Sequence, residues 1–393
     1  MVAGERHQAG RAAEAHGMTP HGAFGGSGPV REAHRFDEKR LAQWLTAAVP
    51  DFTGPLTVEQ FRGGQSNPTY RLITPRRSFV LRRKPPGVLL KGAHAVEREA
   101  RVLQSLGTVG YPVPRVHGLC TDEEVIGTWF YVMDYVEGRI FWNATLPEVE
   151  REVRPQYFDA MNEALARLHA VDYRQIGLAD YGRPGNYFAR QIERWSRQYR
   201  EDTEAGRNPD MDRLIEWLPQ HVPPGDETSL VHGDYRIDNL IFHPTEARVM
   251  AVLDWELSTL GHPLADFGNH LMMYRLPPRL IAGLLGGDLP ALNIPGEAEY
   301  VAAYCRRIGR DGIADLDLDF YVAFGLFRMT AILHGIKGRL ARGTAASTQA
   351  KEYADAVDWM AELAWSQVRR PPRHSVECCG ESSLSVGSPE RST

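Results

Sequence analysis

Cysteine is scarce in this chain. There are 4 among 393 residues. Cys120 and Cys305 stand alone, Cys378 and Cys379 are adjacent, and no Cys-x-x-Cys pair occurs. A disulfide framework and a zinc ribbon are therefore excluded. No apolar run approaches the roughly 20 residues of a membrane span, and residues 1–30 lack the apolar stretch of a secretory signal. An excess of basic charge is also missing. Lys and Arg number 45 against 50 Asp and Glu, a net charge of -5, without the basic stripe of a nucleic-acid binder. The Gly-x-x-x-x-Gly-Lys phosphate loop is absent, and no internal repeat or heptad run is present. The expectation is a cytoplasmic globular protein with no nucleic acid as partner and no membrane span.

At 393 residues the chain is long enough for two lobes around a cleft. Residues 1–30 and 370–393 carry Gly, Ser, Pro and charge without periodicity and read as disordered tails. Residues 31–136 are β-rich. Strands are expected at Val58–Phe61, Tyr70–Thr74, Ser78–Arg83, Arg115–Cys120 and Trp129–Tyr135, with one helix over His94–Leu106. Residues 137–369 are mainly helical, with helices over Val153–Val171 and Asn186–Glu201 and the longest over Phe320–Arg342. Two short strands bracket a polar loop between Ser229 and Asp254. The fold class is thus α+β, and Val136–Arg139, containing Gly138, is the candidate hinge.

Gly63-Gly64-Gln65-Ser66-Asn67-Pro68 lies between two strands. Glycines let backbone N–H groups approach an anion, and the Ser66 and Asn67 side chains add donors. Arg82 and Lys84 follow on one strand face. On the next helix Val96, Ala100, Val102, Leu103 and Leu106 form an apolar stripe, with Glu99 inside it and Glu97 opposite. A carboxylate facing a core needs a cation; Arg82 is the first candidate and Lys84 the second.

His232-Gly233-Asp234-Tyr235-Arg236-Ile237-Asp238-Asn239 runs between apolar Leu230-Val231 and Leu240-Ile241-Phe242. Apolar flanks pin such a loop, which can then present Asp234 as a base and Asn239 as a metal ligand. The apolar strand Val249–Leu253 ends in Asp254-Trp255-Glu256. That places Asp254 to bind Mg²⁺ bridging nucleotide phosphates, with Glu256 as a further oxygen ligand. Asp266 reads as a buried acceptor for loop N–H groups. Gly233-Asp234, Gly261-His262 and Gly268-Asn269-His270 also suggest metallophosphoesterase motifs, but the upstream Asp-x-His of that class is missing.

Taken in this order, these features resemble the aminoglycoside phosphotransferase and choline kinase superfamily, over about Leu56 to Val368. A closer resemblance is to the kinase domain associated with acyl-CoA dehydrogenases. It is carried by Gly63–Tyr70, Val80–Gly87, Tyr187–Ile192 and Asp254–Thr259. The resemblance implies a protein-kinase-like two-lobe fold, ATP and Mg²⁺ as cofactors, and transfer of a phosphoryl group to the hydroxyl of a small molecule. It implies Asp234 as catalytic aspartate, Asn239 and Asp254 as metal ligands, and Glu99 as partner of the nucleotide-binding cation. The matching position holds Arg82 where most kinases have lysine. By the same resemblance Arg236 would fall near the transferred phosphoryl, and Asp134 to Val136 would supply backbone hydrogen bonds to adenine. The acceptor implied is a hydroxyacyl-CoA or hydroxy acid, with a functional link to an acyl-CoA dehydrogenase. Arg190, Arg194, Arg197 and Arg200 against Glu193 suit an anionic acceptor. An antibiotic-inactivating kinase and a catalytically inactive binding module of the same fold are the alternatives.

Overall fold

The structure, a computed structural model, describes residues 26–62, 67–86, 94–278, 282–344 and 350–369. Its first lobe is built on β-strands at Ser27–Gly28 (β1), Thr57–Phe61 (β2), Thr69–Ile73 (β3), Ser78–Arg83 (β4), Val116–Cys120 (β5) and Phe130–Asp134 (β6). They form one antiparallel sheet in the order β1-β2-β3-β4-β6-β5. Two helices cover its faces: α1 (Glu38–Ala48) and α2 (Val96–Gly107). Alternation along β4 explains the layering. Phe79 and Leu81 pack with Leu41 and Leu45 of α1, whereas Val80 packs with Leu103 of α2 and Tyr131. Both faces of β4 are therefore buried, and a central strand reads as apolar throughout.

Two features of this lobe differ from the sequence expectation. Residues 26–30 fall within the tail read as disordered at 1–30, yet Ser27 and Gly28 pair with Phe61 and Gln60. Backbone pairing needs no apolar pattern, and the Ser27 hydroxyl adds a 2.5 Å hydrogen bond to Glu59 Oε2. The helix α1 is also new. Its signals are Asp37, whose carboxylate caps the N–H groups of Lys39 and Arg40, and the buried pair Leu41 and Leu45.

The second lobe is helical. It comprises α3 (Arg154–His169), α4 (Tyr187–Glu201), α5 (Pro209–Trp217), α6 (Pro263–Leu271), α7 (Glu297–Arg307), α8 (Asp315–Ala341) and α9 (Val357–Val368). The 27-residue α8 is its axis and is buried along most of its length. Two small antiparallel ladders are set among these helices. One pairs Ser229–Val231 (β7) with Thr259–Gly261 (β10), and the other pairs Leu240–Phe242 (β8) with Val249–Val252 (β9). The expected loop between two short strands is thus held by four. Among the described residues no helix is long and apolar enough to cross a membrane.

The linker between lobes is tied to the second ladder. Arg139 and Phe242 exchange backbone hydrogen bonds of 2.8 Å in each direction. A Cβ on Gly138 would stand 2.3 Å from the Phe242 carbonyl oxygen. Replacing Gly138 by alanine is expected to break this tie and lower the thermal midpoint by several degrees, measurable by calorimetry.

Two buried histidines of α6 and its cap are held neutral. His262 and His270 are both pushed down to about 4, burial being the main cause. His262 Nδ1 accepts the Leu264 N–H, and His270 sits between the Tyr235 carbonyl and the Tyr300 hydroxyl. Below the ordinary value of 6.5 the unfolded chain takes up protons that the folded one refuses. Stability is therefore present above 6.5 and is lost as pH falls toward 4. Between pH 7 and 5 urea titration should show a loss of about 2 kcal/mol for each histidine, and a flat profile would exclude this account.

Candidate functional site

The upper wall of the cleft is organised by Glu99. It lies in the buried stripe of α2 and is 2% exposed. Its Oε2 is 2.7 Å from Arg82 Nε and accepts from the Tyr131 hydroxyl at 3.1 Å, while its Oε1 accepts from Asn67 Nδ2 at 2.8 Å. Lys84 instead pairs with Glu97 at 2.9 Å and stacks on Trp129. The geometry thus gives the Glu99 cation as Arg82. Burial raises the Glu99 carboxyl above its ordinary value, with Arg82 opposing the shift. For Arg82 burial acts to lower the guanidinium, but Glu99 and Asp254 outweigh it and the net shift is upward. Arg82 stays charged.

Asn67 requires a correction. It was expected to offer its side chain to a bound phosphate. Instead it is fully buried, with Nδ2 on Glu99 and Oδ1 2.9 Å from His94 Nδ1. A polar side chain facing the core must be satisfied there, so its amide is committed inward. Gly63, Gly64 and Ser66 lie outside the described residues.

The lower wall is the loop between β7 and β8. Its backbone is fixed from beneath. Asp266 of α6 accepts the N–H groups of His232 at 2.7 Å and Gly233 at 2.8 Å, and His169 lies 3.3 Å away. Burial alone would raise the Asp266 carboxyl; the His169 hydrogen bond and charge, with the loop N–H, hold it below its usual range. Arg328 of α8 donates to the Gly233 carbonyl at 2.7 Å. Gly233 has φ +83°, and a Cβ there would stand 2.7 Å from the Leu257 carbonyl oxygen, so glycine is required. His232 Nε2 reaches the Leu253 carbonyl at 2.8 Å, and the Leu253 N–H donates to the Asn239 carbonyl at 2.8 Å. These two bonds join the loop to the strand that carries Asp254.

On this frame Asn239 Nδ2 donates to the Asp234 carbonyl at 2.9 Å and approaches its carboxylate at 3.3 Å. Arg236 Nε is 3.4 Å from Asp234 Oδ1, and its Nη2 is 3.1 Å from Asp238. Burial raises the Asp234 carboxyl, with Arg236 opposing. Asp254 follows β9 with φ 63°, an uncommon backbone state for a residue other than glycine. Its Oδ1 is 2.9 Å from Arg82 Nη2, and Glu256 Oε2 is 3.6 Å from the same nitrogen. The two lobes therefore meet at one guanidinium. With its Nδ2 used on Asp234, Asn239 has its amide oxygen left as a ligand atom, and Asn239 and Asp254 line the same cavity; together they offer a hard-oxygen set of the kind Mg²⁺ takes with one or two carboxylates, phosphates and water. Among the described residues no group of three or more His, Cys, Asp and Glu gathers into a metal cage. His262 and His270 are spent on internal hydrogen bonds, which removes the phosphoesterase motifs.

A cavity of about 590 Å³ lies between the walls. Arg82, Asn239 and Asp254 line its polar end, and Val80, Met133 and Val252 are among its apolar lining. Asp134 and Val136 border it at the linker. The Asp134 N–H donates to the Arg115 carbonyl, and its carboxylate takes Arg77 at 2.5 Å and His117 at 2.7 Å. The expectation for Asp134 is narrowed accordingly: its N–H is used inside the sheet and only its carbonyl remains to offer. Asp234, Arg236 and Glu256 do not line this cavity; they stand beyond its polar end. The roles of Arg328, His169 and Tyr131 in bracing the site carry no local signal in the sequence, because each acts from a distant element.

The chain matches the family model described as "Phosphotransferase enzyme family" over residues 57–301. It is 44% identical over 340 residues to acyl-CoA dehydrogenase family member 10 of Mus musculus, covering 86% of this chain and 32% of that protein. It is 43% identical over 361 residues to acyl-CoA dehydrogenase family member 11 of Gallus gallus, covering 90% of this chain and 46% of that protein. The chain spans less than half the length of these relatives. Among solved structures, a "putative aminoglycoside phosphotransferase" of Ralstonia eutropha is 48% identical with a TM-score of 0.77, covering 85% of this chain and 99% of that one. The aminoglycoside phosphotransferase APH(4)-Ia, solved with ADP and hygromycin B, shares the fold at 14% identity and a TM-score of 0.55, covering 85% of this chain and 98% of that one. A two-lobe kinase-like architecture, a model match across both lobes and relatives at this identity lead to one conclusion: the chain belongs to the phosphotransferase enzyme family.

Proposed function

We propose that this chain is an ATP- and Mg²⁺-dependent small-molecule kinase whose acceptor is the hydroxyl of a hydroxyacyl-CoA or hydroxy acid. The observation that carries the reading is that Asn239, Asp254 and Arg82 line one apolar-walled cavity, with Asp234 held by Asn239 and Glu99 by Arg82. The apolar end suits a purine and the charged end its phosphates. The solved complexes of APH(4)-Ia hold ADP or AMP-PNP together with hygromycin B, which supports a nucleotide in the corresponding cleft.

In this mechanism the acceptor oxygen attacks the γ-phosphorus, the bond to the bridging oxygen of ADP breaks, and the hydroxyl proton passes to the Asp234 carboxylate. Burial raises Asp234, so it holds a transferred proton better than a solvated aspartate would. Asn239 keeps Asp234 oriented, Arg236 balances its charge and stands ready for charge developing on the phosphoryl oxygens, and Arg82 holds the phosphates. Mg²⁺, held by Asn239 and Asp254 with Glu256 at their side, would supply neutralisation of the phosphate charge. Asp234→Asn should lower kcat at least ~100-fold while leaving nucleotide binding within about twofold. Retention of full phosphotransfer by that variant would remove Asp234 as base, and nucleotide binding without turnover across many acceptors would favour the inactive binding module.

The acceptor assignment draws on the relatives named as acyl-CoA dehydrogenase family members and on the arginines of α4. These divide in the structure. Arg190 is committed to the Gly185 and Arg183 carbonyls, and Arg197 lies 3.6 Å from Glu193. Arg194 stacks over Trp195 at 5.0 Å, with Arg328 6.0 Å from the same ring. Arg328 is 8% exposed and, among the described residues, hydrogen-bonds only neutral oxygens, Gly233 O and Asn269 Oδ1. Two neighbouring guanidiniums, one of them bonded to the catalytic loop, favour an anionic acceptor. With ATP present, 3-hydroxybutyrate or its CoA thioester should be phosphorylated with kcat/KM at least ~10-fold above the neutral methyl ester, a difference equivalent to one charge-assisted contact. Equal use of the ester would overturn the anionic assignment.

A further inference from the structure

Asn67 is a buried polar residue of the upper wall, and nothing above gives it a function. It is fully buried, and both ends of its amide are used. An ionised carboxylate can only accept hydrogen bonds, so Nδ2 must face Glu99 Oε1. Oδ1 then faces His94, which fixes the hydrogen of that imidazole on Nδ1. The second oxygen of Glu99 is left for Arg82 and Tyr131. Arg82 continues the chain of contacts to Asp254. A line of polar contacts thus runs His94–Asn67–Glu99–Arg82–Asp254, from the approach to α2 down to the end of β9.

Three segments distant in sequence are joined at Asn67. It is the first described residue after the glycine-rich stretch and stands two positions before β3. His94, with φ 58°, immediately precedes the turn into α2. Glu99 lies one turn into that helix. The Thr69 hydroxyl also donates to the Asn67 carbonyl at 3.0 Å, which fixes its backbone on the β3 side. A carboxylate that received only Arg82 and Tyr131 on one oxygen would have its other oxygen buried without a donor. It could then turn about its last torsion and take Arg82 with it.

We propose that Asn67 is a positioning residue for nucleotide binding. It sets the orientation of the Glu99 carboxylate, and through it the direction of the Arg82 guanidinium, and it couples both to the backbone that leads into β3. The identity of the nucleotide rests on the kinase reading; the contacts do not.

The experiment measures the affinity of the full chain for a fluorescent ATP analogue, mant-ATP, with Mg²⁺ present. Asn67→Asp keeps the shape of the side chain but removes the N–H and sets a second carboxylate against Glu99. Asn67→Ala removes both contacts without adding charge. Each should raise the Kd for mant-ATP at least tenfold. The double variant Asn67→Asp with Glu99→Gln exchanges donor and acceptor at constant total charge. Its new amide donates toward position 67 and keeps an oxygen for Arg82 and Tyr131. It should bind at least fivefold more tightly than Asn67→Asp alone. Thermal melting is followed in parallel, since a role confined to folding would lower the midpoint and leave the Kd of the folded fraction unchanged. The proposal is overturned if Asn67→Ala binds within twofold of the parent chain, or if the double variant is folded and shows no recovery. Failure of the parent chain itself to bind mant-ATP would reject the kinase reading together with this role, whereas parent binding with unaffected variants rejects this role alone.

Discussion

The site depends on one buried positive charge. The Arg82 guanidinium is 9% exposed and touches Glu99 on the first lobe and Asp254 on the second. A guanidinium withdrawn from water to this degree is tolerable only when paired and hydrogen-bonded, and removing one partner from such a pair costs about 3–5 kcal/mol. Arg82 therefore dictates the placement of the groups around it. Glu99 must sit inside the apolar stripe of α2 rather than at its edge. Asp254 must adopt its left-handed backbone to bring its carboxylate up from the end of β9. On the proposed reading, nucleotide phosphates entering the cleft would meet this cation.

The second lobe meets the same demand by different means. Its reactive loop is short, polar and closely flanked by apolar strands, and its backbone groups cannot all pair within the two small ladders. Asp266 of α6 takes the His232 and Gly233 N–H groups, Arg328 of α8 donates to the Gly233 carbonyl, the His232 ring accepts the Asp234 N–H, and His169 of α3 braces Asp266 from behind. The result is a set of side chains held by a second layer of hydrogen bonds, as pre-organised catalysis requires. The long buried helix α8 matters chiefly because it delivers Arg328 beneath Gly233.

Much of this arrangement is legible in the sequence. Periodicity placed β2 to β6 and α2 within a few residues, because an amphipathic face and an alternating strand leave a direct trace in side-chain order. The inward position of Glu99 followed from the angle between residues on a helix. Asp266 was recognisable as a buried acceptor. The short pairing of Ser27 and Gly28 was not legible, since a backbone ladder between small residues leaves no apolar signal. The inward turn of Asn67 was not legible either. A side-chain amide can donate to a phosphate or to a carboxylate, and only the distance to Glu99 distinguishes them.

The sequence by itself determined the class of chemistry and the cast of polar residues. Local spacing fixes which side chains share a loop, a strand end or a helix face, and apolar flanks decide which loops are pinned. Only the tertiary structure decided the partners: Arg82 rather than Lys84 for Glu99, Lys84 for Glu97, Asn67 toward the core, and the Asp134 N–H into the sheet. The physical reason is that charge pairing and hydrogen bonding act over about 3 Å between groups that lie tens of residues apart in the chain, and no local pattern records which of several chemically equivalent groups arrives at that distance.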